Sequence, residues 1–128
     1  MSDIYIPATS DTPEVDFKFS SNQLRLVGES YPEDGIEFFR PILKKLQSHL
    51  HSLDGHSVEF DFQLTYFNSV STKIFYSMFE LLNDYAKKYP NCVLLNWFHD
   101  EEDDMILNFG LDIQEDFVWI DFNAVATA

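Results

Sequence analysis

Two periodic patterns meet in the middle of the chain. From Val58 to Phe67 apolar and polar residues alternate, which predicts a β-strand with one buried face. After this strand, apolar residues recur every three or four positions to about Lys88, which predicts an amphipathic helix. The apolar face of the strand comprises Val58, Phe60, Phe62, Leu64 and Tyr66, and the stripe of the helix comprises Ile74, Met78, Leu81, Leu82 and Tyr85.

Weaker patterns predict the elements that precede this pair. The residues Ile4, Tyr5 and Ile6 predict a short edge strand. Val15–Phe19 and Leu24–Gly28 both alternate and flank a polar turn, so they predict a hairpin.

A first helix is predicted after the hairpin. Ser30 and Glu33 form a capping box around Pro32, and Asp34 with Glu37 offers a second possible start. Pro41 lies inside this helix and predicts a kink. The apolar positions at helical spacing are Ile36, Phe39, Leu43, Leu46 and Leu50.

The C-terminal part predicts a strand over Val93–Phe98, a short helix, and a last strand over Phe117–Phe122 before a loose tail. The short helix carries Met105, Ile106 and Phe109. Because helices join successive strands, the order β-β-α-β-α-β-α-β predicts parallel neighbours. We therefore expect one α/β domain over residues 1–128, with a mixed, mostly parallel sheet, an N-terminal hairpin and helices mainly on one face.

The charge of the chain narrows the classes of partner. Eight Lys and Arg against 22 Asp and Glu give a net charge of −14. Such a chain will not bind nucleic acid by neutralising phosphates, and an anionic membrane surface repels it. A basic protein surface is the natural match. The sequence has no secretory signal and no apolar run of membrane-spanning length, so we expect a cytoplasmic protein.

The junction between the central strand and helix is rich in hydroxyl groups. Asn68, Ser69, Ser71 and Thr72 lie where unpaired N–H groups and the positive end of the helix dipole favour an anion. A phosphate on a hydroxyl here would be stabilised. The same residue types are also ordinary helix caps.

Other possible sites are weaker. His49, His51 and His56 lack a further ligand at metal-binding spacing, so we interpret them as a solvated feature of a helix end. The acidic run Asp100–Asp104 lacks the spacing of a calcium loop and fits a helix N-terminus. The single cysteine, Cys92, fits a small buried hydrophobe. We expect no metal and no cofactor.

Catalysis is the weaker class of function. The chain has no glycine-rich phosphate loop and no nucleophile-elbow motif, and no histidine lies close in sequence to Ser69 or Ser71. A small serine hydrolase is the alternative from this class. Acidic mimicry of nucleic acid is a further alternative, which would require carboxylates arrayed over one face.

Several segments together resemble the SiaC family of bacterial regulatory phosphoproteins over nearly the full length. These are the opening Met-Ser-Asp-Ile-Tyr-Ile-Pro-Ala-Thr, Thr12-Pro13, Ser30-Tyr31-Pro32-Glu33, Tyr66-Phe67-Asn68-Ser69 and Leu95-Asn96-Trp97. The resemblance implies a STAS-like fold, as in anti-sigma-factor antagonists. It also implies that the chain is a substrate of enzymes and not an enzyme.

The resemblance further implies a partner-switching role. A Ser/Thr protein kinase phosphorylates one hydroxyl at the strand–helix junction, and a PP2C-type phosphatase removes the phosphate. The unphosphorylated form binds and activates a diguanylate cyclase, which raises cyclic-di-GMP and promotes biofilm growth. An anti-sigma-factor antagonist acting on an anti-sigma kinase is the alternative with the same switch.

The motif match places the phosphoacceptor on Ser69, where the characterised member has Thr. Ser71 and Thr72 are reserve acceptors, and Asn68 and Lys73 form the environment of the phosphate.

A second motif, Tyr31-Pro32-Glu33, is expected to contribute to partner binding beside that loop. It could also serve only as a helix cap. Tyr is a typical interface anchor, so we expect Tyr31 to face the partner.

Overall fold

The computed structural model describes residues 2–128, which form one six-stranded sheet and three helices. In chain order the elements are β1 (Ile4–Ile6), β2 (Glu14–Lys18), β3 (Gln23–Ser30), α1 (Gly35–Ser52), β4 (Val58–Phe67), α2 (Ser69–Lys88), β5 (Val93–Asp100), α3 (Asp104–Asp116) and β6 (Asp121–Thr127).

The strands follow one another across the sheet in the order of the sequence. β1, β2 and β3 are antiparallel neighbours, whereas β3, β4, β5 and β6 are parallel. The parallel pairs are the ones that a helix connects, as the sequence predicts. The mixed sheet, the N-terminal hairpin and the edge strand β1 are thereby confirmed.

All three helices pack on one face of the sheet and share one core. Aromatic rings fill its centre, where the ring of Trp97 on β5 stacks on Phe62 of β4 with centroids 4.4 Å apart. The indole Nε1–H of Trp97 donates to the carbonyl of Ile106 at 2.8 Å and so ties α3 to the sheet. A Cβ on Gly110 would lie 2.5 Å from this indole, so only glycine allows α3 to approach so closely.

The opposite face of the sheet is polar. An amide ladder crosses it, in which Asn123 donates to Asn96 at 3.0 Å and Asn96 donates to Asp61 at 2.8 Å. This alternation of buried and polar residues is what the sequence pattern of β4 predicts.

The final strand is present, but its predicted bounds, Phe117–Phe122, are wrong. Phe117 ends α3 as its C-cap, and the N–H of Ile120 donates to the carbonyl of Phe117 at 3.2 Å, so this apolar stretch is a turn. The strand runs instead over Asp121–Thr127, in the predicted loose tail. Its small residues give little strand signal, but parallel pairing with β5 places it at the sheet edge.

The buried faces of two helices also differ from the prediction. Ile36 on α1 is 56% exposed and Met105 on α3 is 84% exposed, whereas Ile42 and His49 are buried. α1 has apolar residues on two adjacent sides, and its packing against both the sheet and α2 selects the side of Ile42. Met105 lies on the solvent side of the first turn of α3, whereas its neighbour Ile106 is buried in the core.

A β-bulge near the end of β4 reverses its alternation. Leu64 is paired with Gly28 and Tyr66 with Glu29, so Thr65 has no counterpart in β3. One extra residue turns every following side chain to the other face. Tyr66, predicted to be in the core, is therefore 53% exposed, while the ring of Phe67 contacts Phe75 in the interior with centroids 5.4 Å apart.

Candidate functional site

Three helices begin at the same edge of the sheet. β3, β4 and β5 are parallel, so their carboxyl ends lie together, and α1, α2 and α3 start just after them. In open α/β sheets, ligands bind outside the carboxyl ends of the strands. The predicted site residues Tyr31, Pro32, Glu33 and Asn68–Lys73 all lie here.

Asn68 is the N-cap of α2. Its side-chain Oδ1 accepts a hydrogen bond from the N–H of Ser71 at 2.9 Å, and its own N–H donates to the carbonyl of Ser30 at 3.0 Å. The cap therefore fixes the first turn of α2 and joins it to the end of β3. The strand–helix junction that the sequence predicts is in place.

The three hydroxyl residues of this turn differ in accessibility. Ser71 is fully buried, and its Oγ shares a hydrogen bond of 2.8 Å with the Oγ of Ser30. Thr72 is half-buried and its hydroxyl donates to the carbonyl of Asn68 at 3.0 Å. Ser69 is exposed, and within residues 2–128 its hydroxyl takes part in no hydrogen bond. Of these three hydroxyl residues, Ser69 is the one that is exposed.

The start of α2 carries little negative charge. Its cap is a neutral amide and its first turn contains no acidic residue. Lys73 lies one turn after Ser69 and is exposed, and in the described part of the chain it forms no salt bridge. Within its own first turn, α2 therefore has no carboxylate that would neutralise the positive end of its dipole.

The start of α1 differs from the predicted capping box. Asp34, not Ser30, is the N-cap, and its Oδ1 accepts from the N–H of Glu37 at 3.1 Å. Ser30 is instead the last residue of β3, where its hydroxyl is buried. The second start considered from the sequence is thus the correct one, because Ser30 is engaged by Ser71 and cannot cap.

The Tyr31-Pro32-Glu33 segment forms the turn between β3 and α1. Tyr31 is 40% exposed, and its ring packs edge-on against that of Tyr66 with centroids 5.8 Å apart. Pro32 is buried and Glu33 is exposed. Since Ser30 binds both Asn68 and Ser71, the turn that carries Tyr31 lies directly beside the start of α2.

Exposed apolar side chains surround this edge. Tyr66 and Met105 line a cavity of about 250 Å³ between the end of β4, α2 and α3. Val70, in the first turn of α2, is 41% exposed. Large apolar groups exposed together are typical of protein-binding surfaces.

The alternative metal sites receive no support. Among residues 2–128, no three His, Cys, Asp or Glu side chains are grouped so as to hold a metal ion. His49, predicted to be solvated, is buried, and its Nε2 lies 2.6 Å from Oδ1 of Asn22. The acidic run Asp100–Asp104 leads into α3 as predicted, with Asp103 as the N-cap.

No helix of the described residues is both long and apolar enough to cross a membrane. Cys92, predicted to be buried, is half-buried, and its thiol donates to the carbonyl of Gly55 at 3.1 Å.

Comparison with known proteins identifies the family. A family model described as SiaC family regulatory phosphoprotein matches residues 6–127. An uncharacterised protein of Pseudomonas aeruginosa strain UCBPP-PA14 is 30% identical over 117 residues, which are 91% of this chain and 90% of that protein. The chain belongs to the SiaC family. As a member of a family of regulatory phosphoproteins it is a regulatory protein and not an enzyme, which rules out the small serine hydrolase.

Solved SiaC structures have the same fold. Apo-SiaC from Pseudomonas aeruginosa superposes with a TM-score of 0.89 at 27% identity, covering 98% of this chain and 100% of that chain. The chain also matches the crystal structure of the diguanylate cyclase SiaD in complex with its activator SiaC, from the same bacterium. The TM-score is 0.89 at 26% identity, covering 98% of this chain and 100% of that chain. The predicted α/β fold class is confirmed.

Three features of the candidate site were not found from the sequence. These are the exposed ring of Tyr66, the exposed Met105, and the buried hydroxyl pair of Ser30 and Ser71. One signal for the first was present, because the adjacent rings Tyr66-Phe67 interrupt the alternation of β4. The pairing of Ser30 with Ser71 spans 41 residues and left no local pattern.

Proposed function

We propose that this chain is a phosphorylation-controlled activator of a diguanylate cyclase. Membership of the SiaC family supports this, as does the likeness to a SiaC that is the activator of the cyclase SiaD. The observation that carries the proposal is the exposed hydroxyl of Ser69 in the first turn of α2, beside exposed apolar side chains.

Ser69 is the proposed phosphoacceptor. Ser71 would have to leave a fully buried hydrogen bond to reach a kinase, and the hydroxyl of Thr72 is engaged by the carbonyl of Asn68. A phosphate on Ser69 would add about −1.5 to −2 charges at a helix start without acids of its own. The dipole of α2 and the ammonium group of Lys73 would stabilise it there.

The switch operates on the surface and requires no change of fold. Tyr31, Pro32 and Glu33 lie beside the phosphorylated turn and form part of the proposed partner surface. A Ser/Thr kinase adds the phosphate, which blocks cyclase binding, and a PP2C-type phosphatase removes it and restores binding.

Phosphorylation is tested with the cognate kinase and ATP, followed by mapping of the modified residue by mass spectrometry. We expect phosphate on Ser69 and none on the Ser69→Ala variant. Ser77→Ala is the matched control, because Ser77 is an exposed serine two turns further along α2. Phosphate on Ser71 or Thr72 would move the site. An active kinase that modifies no residue of this turn would overturn the proposal.

Cyclase binding is tested by titration calorimetry and by cyclic-di-GMP production. Unphosphorylated protein and Ser69→Ala should bind and activate the cyclase, and phosphorylated protein should not. Ser69→Asp should lose only part of the affinity, because a carboxylate carries less charge and fewer oxygens than phosphate. If the unphosphorylated protein leaves cyclase activity unchanged, the activator role is wrong.

A further inference from the structure

We propose that the partner docks by inserting a large apolar side chain, flanked by basic residues, into the cavity between β4, α2 and α3. This inference rests on the proposed function and specifies how the partner is held. It follows from the residues that line the cavity, the spacing of Ser69 and Thr72 on α2, and the charges around the cavity.

The cavity is suited to an apolar anchor. Its volume of about 250 Å³ is sufficient for one large side chain. The ring of Phe109 contacts that of Phe67 below it with centroids 4.9 Å apart, and Ile106 is 9% exposed. Tyr66 and Met105 line it as well and are largely exposed. A partner side chain inserted here would be covered on several sides, as interface anchors are.

Ser69 lies on α2 one helical turn before Thr72, which lines this cavity. Thr72 follows Ser69 by three residues. Side chains three apart on a helix are neighbours, about 5–6 Å apart at Cβ. A phosphate on Ser69 would therefore lie within one helical turn of the cavity wall at Thr72.

The sign of the charges shows why an apolar anchor is needed. The chain carries a net charge of −14, and the run Asp100–Asp104 adjoins the cavity through Asp103. Charge complementarity therefore requires a basic partner surface. A basic surface alone would be attracted more strongly by a phosphate, so phosphorylation would strengthen the complex.

An apolar anchor reverses this outcome. When the partner covers the surface around Ser69 with apolar groups, a phosphate on Ser69 must lose its hydration. The free energy of this desolvation opposes binding. Burial of the apolar anchor thus provides the part of the affinity that phosphorylation removes. The acidic residues of this chain favour Lys or Arg beside the anchor in the partner.

The first experiment compares two exposed apolar positions at opposite ends of the α3 segment. Met105→Gln keeps the length of the side chain but makes the wall of the cavity polar. Val118→Thr makes the matched change at a residue that is 73% exposed beyond the other end of α3. We expect about tenfold weaker binding of the purified cyclase for Met105→Gln and less than about twofold for Val118→Thr.

A second measurement locates the contact without any substitution. In protein labelled at methionine and isoleucine methyl groups, cyclase should broaden the signals of Met105 and Ile106. Met78, which is fully buried, is the internal control. The rival surface is the larger groove of about 440 Å³ between α1 and α2, whose walls include Ile36. Broadening of Ile36 with an unchanged Met105 would overturn the proposal.

Salt separates the two ways in which phosphate can act. At about 1 M NaCl the screening length falls to about 3 Å, so repulsion between exposed charges is largely removed. We expect unmodified protein to bind at this salt concentration through its apolar contact and phosphorylated protein to stay unable to bind, because desolvation is not screened. Recovery of binding would show that phosphate acts by charge repulsion, and the anchor mechanism would be wrong.

The outcomes distinguish the inference from the function on which it rests. If unmodified protein does not bind the cyclase, both the proposed function and the anchor are wrong. If it binds, but Met105→Gln binds equally well, only the anchor is wrong and the activator role stands.

Discussion

The first turns of α2 and α3 begin at the same edge of the sheet, are capped in the same way, and differ in charge. Oδ1 of Asn68 accepts from the N–H of Ser71 at 2.9 Å, and Oδ1 of Asp103 accepts from the N–H of Ile106 at 3.0 Å. The cap of α3 is a carboxylate and Asp104 follows it, whereas α2 has a neutral cap and no acid in its first turn.

This difference shows where the protein can accept an added negative charge. With 22 acidic residues, an acid-free helix start is notable, and α1 also has acids at its start. At α3 the dipole is already compensated, so a further anion would meet carboxylates. At α2 no acid of the first turn compensates the dipole, and a phosphate there would be stabilised by about 0.3–1 kcal/mol. The two helix starts thus have different proposed tasks, switching at α2 and partner selection at α3.

The largest effect on partner binding is expected from Tyr31, whose ring packs on Tyr66 beside the start of α2. Tyr31→Ala should weaken cyclase binding by about 2 kcal/mol, or about 30-fold, because an exposed ring that packs on Tyr66 is removed from the proposed interface. The melting temperature should change little, and calorimetry with thermal unfolding checks both. Tyr5→Ala is the control, since Tyr5 is 61% exposed on the distant strand β1. A large loss of stability would assign Tyr31 a structural role instead.

The α3 side depends on the close approach of α3 to Trp97. Gly110→Ala should destabilise the protein by about 1–3 kcal/mol, because the new Cβ would overlap the indole. Alanine has a higher helix propensity than glycine by about 1 kcal/mol, and the lower end of this range takes that opposing gain into account. Urea unfolding measures the change, with Leu111→Ala on the exposed side of α3 as control. Unchanged stability would show that α3 can shift freely, which would contradict a fixed cavity wall.

Exchanging the N-cap residues of α2 and α3 tests whether their difference in charge affects stability. Asn68→Asp should raise the free energy of unfolding by about 0.3–1 kcal/mol, because it adds a negative charge at the start of α2, and Asp103→Asn should lower it by a similar amount. Urea unfolding before and after phosphorylation checks this. Phosphorylation should stabilise the Asn68→Asp variant less than the natural protein. Equal stabilisation would mean that the dipole of α2 does not hold the phosphate.

The smallest effect is the pH dependence of the free energy of unfolding that His49 causes, at a distance from both helix starts. Burial lowers the pKa of His49 below its usual value of about 6.5. The unfolded chain therefore binds the imidazole proton more readily than the folded one. The free energy of unfolding should decrease by the contribution of this one group as the pH falls below about 6.5, and this contribution is fully retained above that pH. Urea unfolding at pH 7.5 and 5.5 should show a smaller decrease for His49→Gln than for the natural protein. An equal decrease would place the titrating group elsewhere.

Local patterns were sufficient for much of the fold. β4 has the predicted bounds of Val58–Phe67, and α2 ends at Lys88 as predicted, because both have a strong period and clear end signals. The position of β6 could not be found in the same way. Its residues Ala124 and Ala126 are weak strand formers, and it forms through pairing with β5.

The candidate site was predictable only in part. The motif around Asn68 and Ser69 placed the hydroxyl turn at a helix start, where the structure has it. The relative accessibility of Ser69 and Ser71 was not predictable, because it depends on Ser30 from a distant strand. The cavity likewise requires α2 and α3 to be side by side. The assignment of Ser69 as phosphoacceptor, the partner role of Tyr31-Pro32-Glu33, and the extent of the domain over residues 1–128 stay predictions.

The bulge at Thr65 has a consequence for how related sequences are compared. At identities of 26–30%, an alignment that omits this one residue still matches apolar with apolar positions along most of β4. After the bulge, however, it equates Tyr66 with a core position and Phe67 with a surface position. Such an alignment would hide any covariation between Tyr66 and a partner protein. Family alignments should therefore be fixed at the Asn68 cap and extended towards the N-terminus, so that the bulged residue Thr65 is aligned as an insertion.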